Sequence, residues 1–324
     1  MIGAGAVGGV VGGRLAEHGH DVVLVARGAH LRAIGRDGLT VHDPEGSVTV
    51  SPPAVASVAE VDWGDGDVAV VAVKSQDTAS VLADLAPVAP AGLPVVCLQN
   101  GVANERAALR RFEHVHGVCV MLSCTHLESG VVLAHSAPVT GLLDIGRYPD
   151  GVDEVDRAVA AALSGSGFDS VPRADIMRWK HQKLLANLAN AAEAACGPAA
   201  RFGDLARRAR AEGTSVLEEA GIPFTSDEED ARRRGSLLGL RPAGGRRWEG
   251  GSTWQSLARG TGRAEADWLN GEVVLLGRLH RVPTPANALL QEVANRMATE
   301  GTAPGSLDEA DLLAHLSGPQ DRRR

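Results

Sequence analysis

The sequence has few cysteines and no long apolar run, which excludes several classes of protein. The four cysteines in 324 residues, Cys97, Cys119, Cys124 and Cys196, lack the spacing of a disulfide framework or a metal site. We therefore expect reduced thiols, no metal centre and a location in the cytoplasm. No apolar run reaches the length of a membrane span, and charges interrupt the N-terminal segment early. Neither a transmembrane helix nor a signal peptide is expected.

Clustered basic residues and aromatic residues are also scarce. The formal net charge is −8, and the 32 basic residues form no continuous stripe. Because phosphate backbones need clustered lysine and arginine, we exclude nucleic acid as the main partner. Aromatic residues make up only 3% of the chain, too few for a stacking platform. His114 and His116 have no carboxylate or cysteine cluster beside them in the sequence, so we interpret them as surface histidines.

The first 145 residues alternate Val- and Leu-rich runs with helical stretches. Nearly continuous apolar runs at 21–26, 67–73, 93–99 and 115–122 indicate strands that are covered on both faces. This alternation predicts an α/β fold with an N-terminal Rossmann-type, doubly wound, mainly parallel sheet. The stretch at 130–146, with two β-like runs around Ser-Ala-Pro, predicts a terminal hairpin.

Helical periodicity dominates the remainder of the chain. Because single cores stop growing at about 250 to 300 residues, we expect two domains. Residues 1–173 would form the sheet domain and residues 174–324 an all-helical domain, with a disordered tail at about 317–324. The Gly- and Arg-rich stretch at 232–252 predicts a loop over the helical domain.

A Gly-rich turn opens the chain with the spacing Gly3-x-Gly5-x-x-Gly8. In a dinucleotide-binding unit, the first glycine makes the turn, the second admits a pyrophosphate, and the third lets helix and strand touch. A tight turn without a ligand is the alternative. Because only two residues precede Gly3, the first strand should be very short. We assign cofactor binding to Gly3, Ala4, Gly5, Ala6, Val7 and Gly8.

Polar residues follow three predicted strands, where ligands of such sheets bind. Arg27 stands at the end of the second strand, where NAD-specific folds place an acidic residue. Because a guanidinium suits a 2′-phosphate, this favours NADPH over NADH. Lys74 and Asn100 follow the next two strands and would face the same dinucleotide. Arg27 as a solvated loop residue, and the other two as turn residues, are the alternatives.

The stretch at 175–197 predicts one helix that ends at Gly197. Lys183, Asn187 and Asn190 form one stripe along it, and their neighbours are small or apolar. Such a stripe suits a cleft, where a sheltered ammonium gives up its proton more easily and can act as a general acid. A surface stripe is the alternative.

Together these residues resemble the ketopantoate reductase (2-dehydropantoate 2-reductase) family. The similarity covers nearly the whole chain, and the motifs follow the family's order. It rests on the opening GAGAVGG, Arg27, VKSQ, LQNGV, Thr125-His126, W-x-x-x-KLL-x-N, GSTWQS, and E-x-D-x-x-NG from Glu265 to Gly271.

The resemblance implies a Rossmann domain over residues 1–173 that binds NADPH/NADP⁺ and a helical domain that completes the site. It implies reduction of 2-dehydropantoate to pantoate, in pantothenate biosynthesis, with a small 2-keto acid as the partner. Lys183 would be the proton donor, Asn100 would lie beside the nicotinamide, and Glu265 would close the site near cofactor and substrate. Asn187 would bind substrate, and Ser252 would contact its carboxylate.

Departures from the family pattern leave the substrate open. The family's second helix asparagine corresponds to Ala191 here, so Asn190 is expected to bind the substrate instead. Family members also carry several more strand residues before the first glycine, which implies a truncated start. A reductase paralogue for another keto substrate and an NADP-binding sensor without turnover remain alternatives, and a homodimer is left open.

Overall fold

The computed structural model describes residues 1–317 and contains two compact units. The first unit comprises Met1–Gln182 and Thr225–Trp248, and the second comprises Lys183–Phe224 and the chain from Glu249 onward. The tail expected to be disordered lies outside the described residues, apart from its first position.

The first unit is an α/β structure, as the apolar runs predict. Each of the four apolar runs contains a strand that is shorter than the run, and helices alternate with these strands. In chain order its elements are α1 (Ala6–Glu17), β1 (Leu24–Val25), α2 (Gly28–Asp37), β2 (Leu39–His42), β3 (Ser47–Val50), β4 (Ala54–Val55), β5 (Ala69–Val71), α3 (Ser75–Leu85), β6 (Val95–Cys97), α4 (Asn104–Leu109), β7 (Val115–Met121), β8 (Cys124–Thr125), β9 (Val131–Ala134), β10 (Ser136–Pro138), β11 (Leu142–Arg147), α5 (Glu154–Ser164) and the start of α6 (Ile176–Asn187).

The main sheet has the order β11-β7-β6-β5, in which β5, β6 and β7 are parallel and β11 is antiparallel. Ile2 extends this order, because it bridges Val71 of β5 on one side and Val25 of β1 on the other. Its N–H donates to the carbonyl of Val70 at 2.7 Å, and its own carbonyl accepts from Ala72 at 2.9 Å. A single residue therefore occupies the place of a first strand, in agreement with the prediction of a very short one.

Both faces of this sheet are covered. Along β6, Val95 and Cys97 belong to one apolar cluster, whereas Val96 belongs to the other, and all three are at most 1% exposed. Since successive side chains of a strand point to opposite faces, the sheet has a core on each side. This explains why the strands are continuous apolar runs in the sequence.

A second sheet of the first unit has the order β3-β2-β9-β8 and overturns the predicted hairpin at 130–146. β9 pairs in parallel with β2, whereas β11 pairs along all six of its residues with β7 of the main sheet. The Ser-Ala-Pro run between them is itself a strand, β10. The two β-like runs are adjacent in sequence, but they do not pair with each other: β9 pairs with β2 and β8, and β11 pairs with β7.

The second unit is helical. The predicted single helix at 175–197 is wrong in one respect, because it is interrupted at Leu188, whose carbonyl accepts a 3.1 Å hydrogen bond from Asn270 Nδ2. The helices of this part of the chain are the end of α6, α7 (Ala189–Cys196), α8 (Asp204–Glu219), α10 (Ser252–Ala258), α11 (Asn270–His280), α12 (Pro285–Glu300) and α13 (Glu309–Ser317), with short 3₁₀ turns at Pro198–Phe202 and Ala266–Trp268.

The segment between α8 and α10 is not a loop over the helical unit. It contains α9 (Asp227–Arg234) and β12 (Leu238–Leu240), and its part from Thr225 to Trp248 belongs to the first unit. β12 pairs antiparallel with β10, and Arg233 donates two hydrogen bonds to Asp144 of β11, at 2.8 and 2.6 Å. The arginines that suggested a solvated loop supply this attachment. β12 is also the exception to an all-helical C-terminal half.

Among the described helices, none is both long and apolar enough to cross a bilayer.

Candidate active site

The Gly-rich turn has the geometry that its spacing predicts. Gly3 has a φ of +98°, which disfavours any other residue, and a Cβ there would lie 2.7 Å from Val73 Cγ1. A Cβ on Gly8 would lie 2.0 Å from the carbonyl oxygen of Gly3. At Gly5, by contrast, a Cβ would meet no atom within 4 Å. Gly5 is the N-cap of the 12-residue α1 and supplies no capping side chain. Space beside bare backbone at a helix N-terminus fits a pyrophosphate.

His30 of α2 holds this turn in place. Gly130 N–H donates to His30 Nδ1 at 2.9 Å, so the ring proton must be on Nε2, which lies 2.7 Å from the carbonyl oxygen of Ala4. The His126 ring lies 4.2 Å from that of His30, centroid to centroid. Burial lowers the pKa of His30, which favours the neutral tautomer that both bonds require.

Lys74 and Asn100 follow neighbouring strands at the same edge of the sheet as the Gly-rich turn. Lys74 is the N-cap residue of α3, directly after Val73, which packs against Gly3. Asn100 follows β6, and both residues are partly exposed. Because the carboxyl ends of parallel strands meet at one edge, the first unit gathers these groups on one side.

Arg27 is exposed and is the N-cap residue of α2, directly after the β1 run. No acidic residue stands in the first turn of that helix. The chain therefore carries a cation after β1, at the position where NAD-specific folds place an acidic residue.

The second unit contains the other predicted site residues. Asn187 and Asn190 are only 3% and 5% exposed, and Lys183 is half-buried. The polar stripe is therefore not a water-facing surface. It spans the interruption at Leu188, so Lys183 and Asn187 belong to α6 and Asn190 belongs to α7.

Asn190 is held by two residues that the sequence reasoning missed, Arg201 and Glu193. Arg201 Nη1 donates to Asn190 Oδ1 and to Glu193 Oε2, each at 2.9 Å. Since a guanidinium only donates, the amide oxygen of Asn190 must face it, and the amide NH₂ points elsewhere. Glu193 is 2% exposed and also accepts from the N–H of Gly251 at 3.2 Å. A lone acidic residue in the Ala-rich α7 was the available signal.

Ser252 is brought close to Asn190 through this group. A Cβ on the preceding Gly251 would lie 3.0 Å from Glu193 Oε2 and 3.3 Å from Asn190 Oδ1. The Oγ of Ser252 is buried without a hydrogen-bond partner among the described residues. A buried hydroxyl of this kind is suited to a ligand that completes its hydrogen bonding.

Glu265 is 6% exposed and begins a short turn that is fixed by the rest of its motif. Asp267 Oδ1 accepts from Gln291 Nε2 and from Asn295 Nδ2 of α12, each at 2.7 Å. Asn270 Nδ2 donates to Asn287 Oδ1 at 3.0 Å. Asp267 and Asn270 of the spacing E-x-D-x-x-N thus attach the turn that follows Glu265 to α12.

His116 corrects the expectation of surface histidines. It is fully buried, and its Nδ1 lies 2.8 Å from Asp156 Oδ1. With Asp153 these residues place three ligand-type atoms within 4.8 Å of one another. Both carboxylates already accept backbone N–H bonds that cap α5, so the group has a structural role.

Comparison with known proteins identifies the family. The model of the family "Ketopantoate reductase PanE/ApbA" matches residues 1–150, and that of its C-terminal part matches residues 175–298. A 2-dehydropantoate 2-reductase of Halobacterium salinarum is 32% identical over 316 residues, which cover 92% of this chain and 98% of that one.

Solved structures show the same fold. A PanE/ApbA family ketopantoate reductase from Ralstonia eutropha JMP134 has a TM-score of 0.77 at 28% identity, covering 93% of this chain and 98% of that one. A D-mandelate dehydrogenase with NADH and anilino(oxo)acetate has a TM-score of 0.76 at 22% identity, over 93% and 99% of the two chains.

A Rossmann-type unit with a Gly-rich turn and a helical unit, together with the family match, place the chain in a class of oxidoreductases that act on keto groups. Within that class, the chain belongs to the ketopantoate reductase family.

Proposed function

We propose that the protein reduces a 2-keto acid with NADPH and that its substrate is 2-dehydropantoate, which becomes pantoate. The observation that carries this proposal is the family match over both halves of the chain, together with a helical unit that keeps Lys183, Asn187 and Glu265 in their motifs. The names of the curated relatives support the substrate.

The residues present fit a dinucleotide phosphate. The space beside Gly5 would admit the pyrophosphate at the N-terminus of α1. Arg27 would recognise the 2′-phosphate, which favours NADPH over NADH, and Lys74 and Asn100 would contact the same cofactor. When bound, NADPH supplies a hydride for the keto carbon.

Lys183 would protonate the oxygen of the substrate keto group as it becomes an alkoxide. Its ammonium would also stabilise the negative charge that develops on that oxygen. Half-burial in α6 shelters the group from bulk water, which strengthens this electrostatic stabilisation. Asn100 and Glu265 would orient the reacting groups.

Asn187, Asn190 and Ser252 would hold the substrate. With its oxygen turned toward Arg201, Asn190 offers its amide NH₂ to a carboxylate or hydroxyl. The buried hydroxyl of Ser252 would donate a hydrogen bond to the substrate carboxylate. This polar group selects for the acid end of a 2-keto acid.

The test is a panel of 2-keto acids assayed by the consumption of NADPH and, separately, of NADH. We expect turnover of 2-dehydropantoate with NADPH at a kcat/KM at least about tenfold above that of the other acids and of NADH. Efficient turnover of another keto acid, with 2-dehydropantoate inert, would contradict the substrate. Tight NADPH binding without turnover of any acid would favour a sensor.

A further inference from the structure

The first unit contains a buried ion pair that the proposed mechanism leaves unused. The side chains of Lys180 in α6 and Glu105 in α4 are 2% and 0% exposed, and Lys180 Nζ lies 2.8 Å from Glu105 Oε1. The same ammonium donates to the backbone carbonyls of Gln99, at 2.8 Å, and Val118, at 2.9 Å. Lys180 thus makes two hydrogen bonds to backbone carbonyls and one ion-pair contact with Glu105.

Stability alone does not explain why this pair is buried. Replacing a buried ion pair by apolar residues of similar volume is often neutral or stabilising, because desolvation offsets much of the attraction. The chain also keeps a glycine beside it. A Cβ on Gly117 would lie 3.2 Å from Glu105 Oε1 and 3.3 Å from Lys180 Cδ. Burial raises the pKa of the neighbouring Cys97 thiol well above its ordinary value, so that group stays neutral.

The hydrogen bonds of Lys180 point to one functional residue. The carbonyl of Gln99 belongs to the peptide group that precedes Asn100, and Lys180 holds its oxygen. The carbonyl of Asn100 itself accepts from Asn104 Nδ2 at 3.2 Å. Because peptide groups are planar, holding the two that flank a Cα limits both backbone dihedrals of that residue. Gly101 follows with a φ of +80°, so the chain turns away directly after Asn100.

The remaining members of this region are also fixed. Gln99 Nε2 donates to Val73 O at 2.7 Å and to Thr78 Oγ1 at 2.8 Å. Thr78 donates to Asn104 Oδ1 at 2.9 Å, and Asn104 Nδ2 donates to Ser75 Oγ at 3.1 Å. Within this buried network, Lys180 supplies a charge-assisted bond to the peptide group before Asn100.

We propose that Lys180 is a positioning residue for Asn100, which it aims by fixing the Gln99 carbonyl. The proposal rests on the proposed function, in which Asn100 contacts the cofactor. A group displaced by about 1 Å can cost as much as about 100-fold in rate, so loss of this bond should reduce turnover without any contact between Lys180 and the ligands.

The test is a double-mutant cycle in a background that lacks the Glu105 carboxylate. Lys180→Met alone would leave a buried carboxylate unpaired and could unfold the protein, so Glu105→Gln serves as the reference. This reference keeps Lys180 and its two carbonyl bonds. Lys180→Met, Asn100→Ala and both together are added to it in the full-length chain, with folding checked by circular dichroism. The readouts are kcat for keto-acid reduction and the Kd for NADPH from cofactor fluorescence.

We expect Lys180→Met to lower kcat at least about tenfold when Asn100 is present and less than about twofold when it is already alanine. Equal losses in both backgrounds would assign Lys180 a general structural role and overturn the proposal, as would an unchanged kcat with Asn100 present. If the wild type turns over no keto acid, the proposed function fails separately; if only the reference is inactive, the proposed function stands. In either case the cycle of NADPH Kd values decides. An effect of Lys180→Met on NADPH affinity that depends on Asn100 supports the positioning role. An effect that is the same without Asn100 overturns it.

Discussion

An added methyl group should affect a different property at each of two glycines of the same turn: stability at Gly8 and cofactor affinity at Gly5. At Gly8, an alanine Cβ would lie 2.0 Å from the Gly3 carbonyl oxygen and 2.9 Å from Ala72 Cβ. The first contact is with backbone whose φ of +98° leaves little freedom, so helix and strand must separate. At Gly5, a methyl group meets nothing within 4 Å, and the φ of −71° suits any residue.

The magnitudes follow from these contacts. Overpacking costs about 1–3 kcal/mol and occasionally more, and the backbone clash puts Gly8→Ala at about 3 kcal/mol or above. At about 2–4 °C per kcal/mol, its Tm should fall by about 6–12 °C. Gly5→Ala changes only an N-cap and should cost at most about 1 kcal/mol. Its methyl group occupies the space assigned to the pyrophosphate, so NADPH affinity should fall at least about tenfold, or about 1.4 kcal/mol.

The assay is a thermal melt without cofactor, followed by an NADPH titration monitored by cofactor fluorescence, on both variants and the wild type. The reasoning is refuted if Gly8→Ala melts within about 2 °C of the wild type. The assignment of the phosphate site is refuted if Gly5→Ala binds NADPH as tightly as the wild type does.

Three further changes test other parts of the account. Arg27→Ala should raise the Kd for NADPH at least about tenfold and leave the Kd for NADH nearly unchanged, and equal losses would contradict 2′-phosphate recognition. Arg201→Met should lower the free energy of unfolding in urea by about 2–4 kcal/mol, because the buried Glu193 loses its cation. Adding Glu193→Gln should recover at least half of that loss. Identical unfolding of the single and double variants would argue against the pair. Because burial lowers the pKa of His30, the folded state binds fewer protons than the unfolded state just below pH 6.5, and the free energy of unfolding should rise with pH up to that point. His30→Gln should flatten this rise, and an unchanged slope would count against the neutral tautomer.

The α/β alternation was predictable because strands covered on both faces are continuous apolar runs. β2 and β3 were missed because neither is a continuous apolar run. β2 alternates buried with partly exposed positions, and β3 has no buried residue. The hairpin was wrong because adjacency in sequence says nothing about which sheet a run joins. The place of the 225–248 segment in the first unit was not predictable, because the contact between Arg233 and Asp144 joins residues that are 89 positions apart.

The site was predictable where its chemistry is local. The glycine spacing, Arg27 and the stripe from Lys183 to Asn190 are all short-range patterns, and their assignment to a ligand site stays a prediction. Arg201, Glu193 and Lys180 were not found, because their roles come from contacts. Lys180 is 81 residues from the Gln99 carbonyl that it holds, and a lysine among charged and polar neighbours carries no mark of burial.

The central claim is that Lys183 donates the proton in a keto-acid reduction, and one comparison tests it most directly. The kcat for 2-dehydropantoate with NADPH is measured for the wild type and Lys183→Ala, with the NADPH Kd as the control for cofactor binding. We predict a loss in kcat of at least about 100-fold with a nearly unchanged Kd, in line with the size of general acid contributions. A variant that retains kcat within about threefold of the wild type would contradict the account.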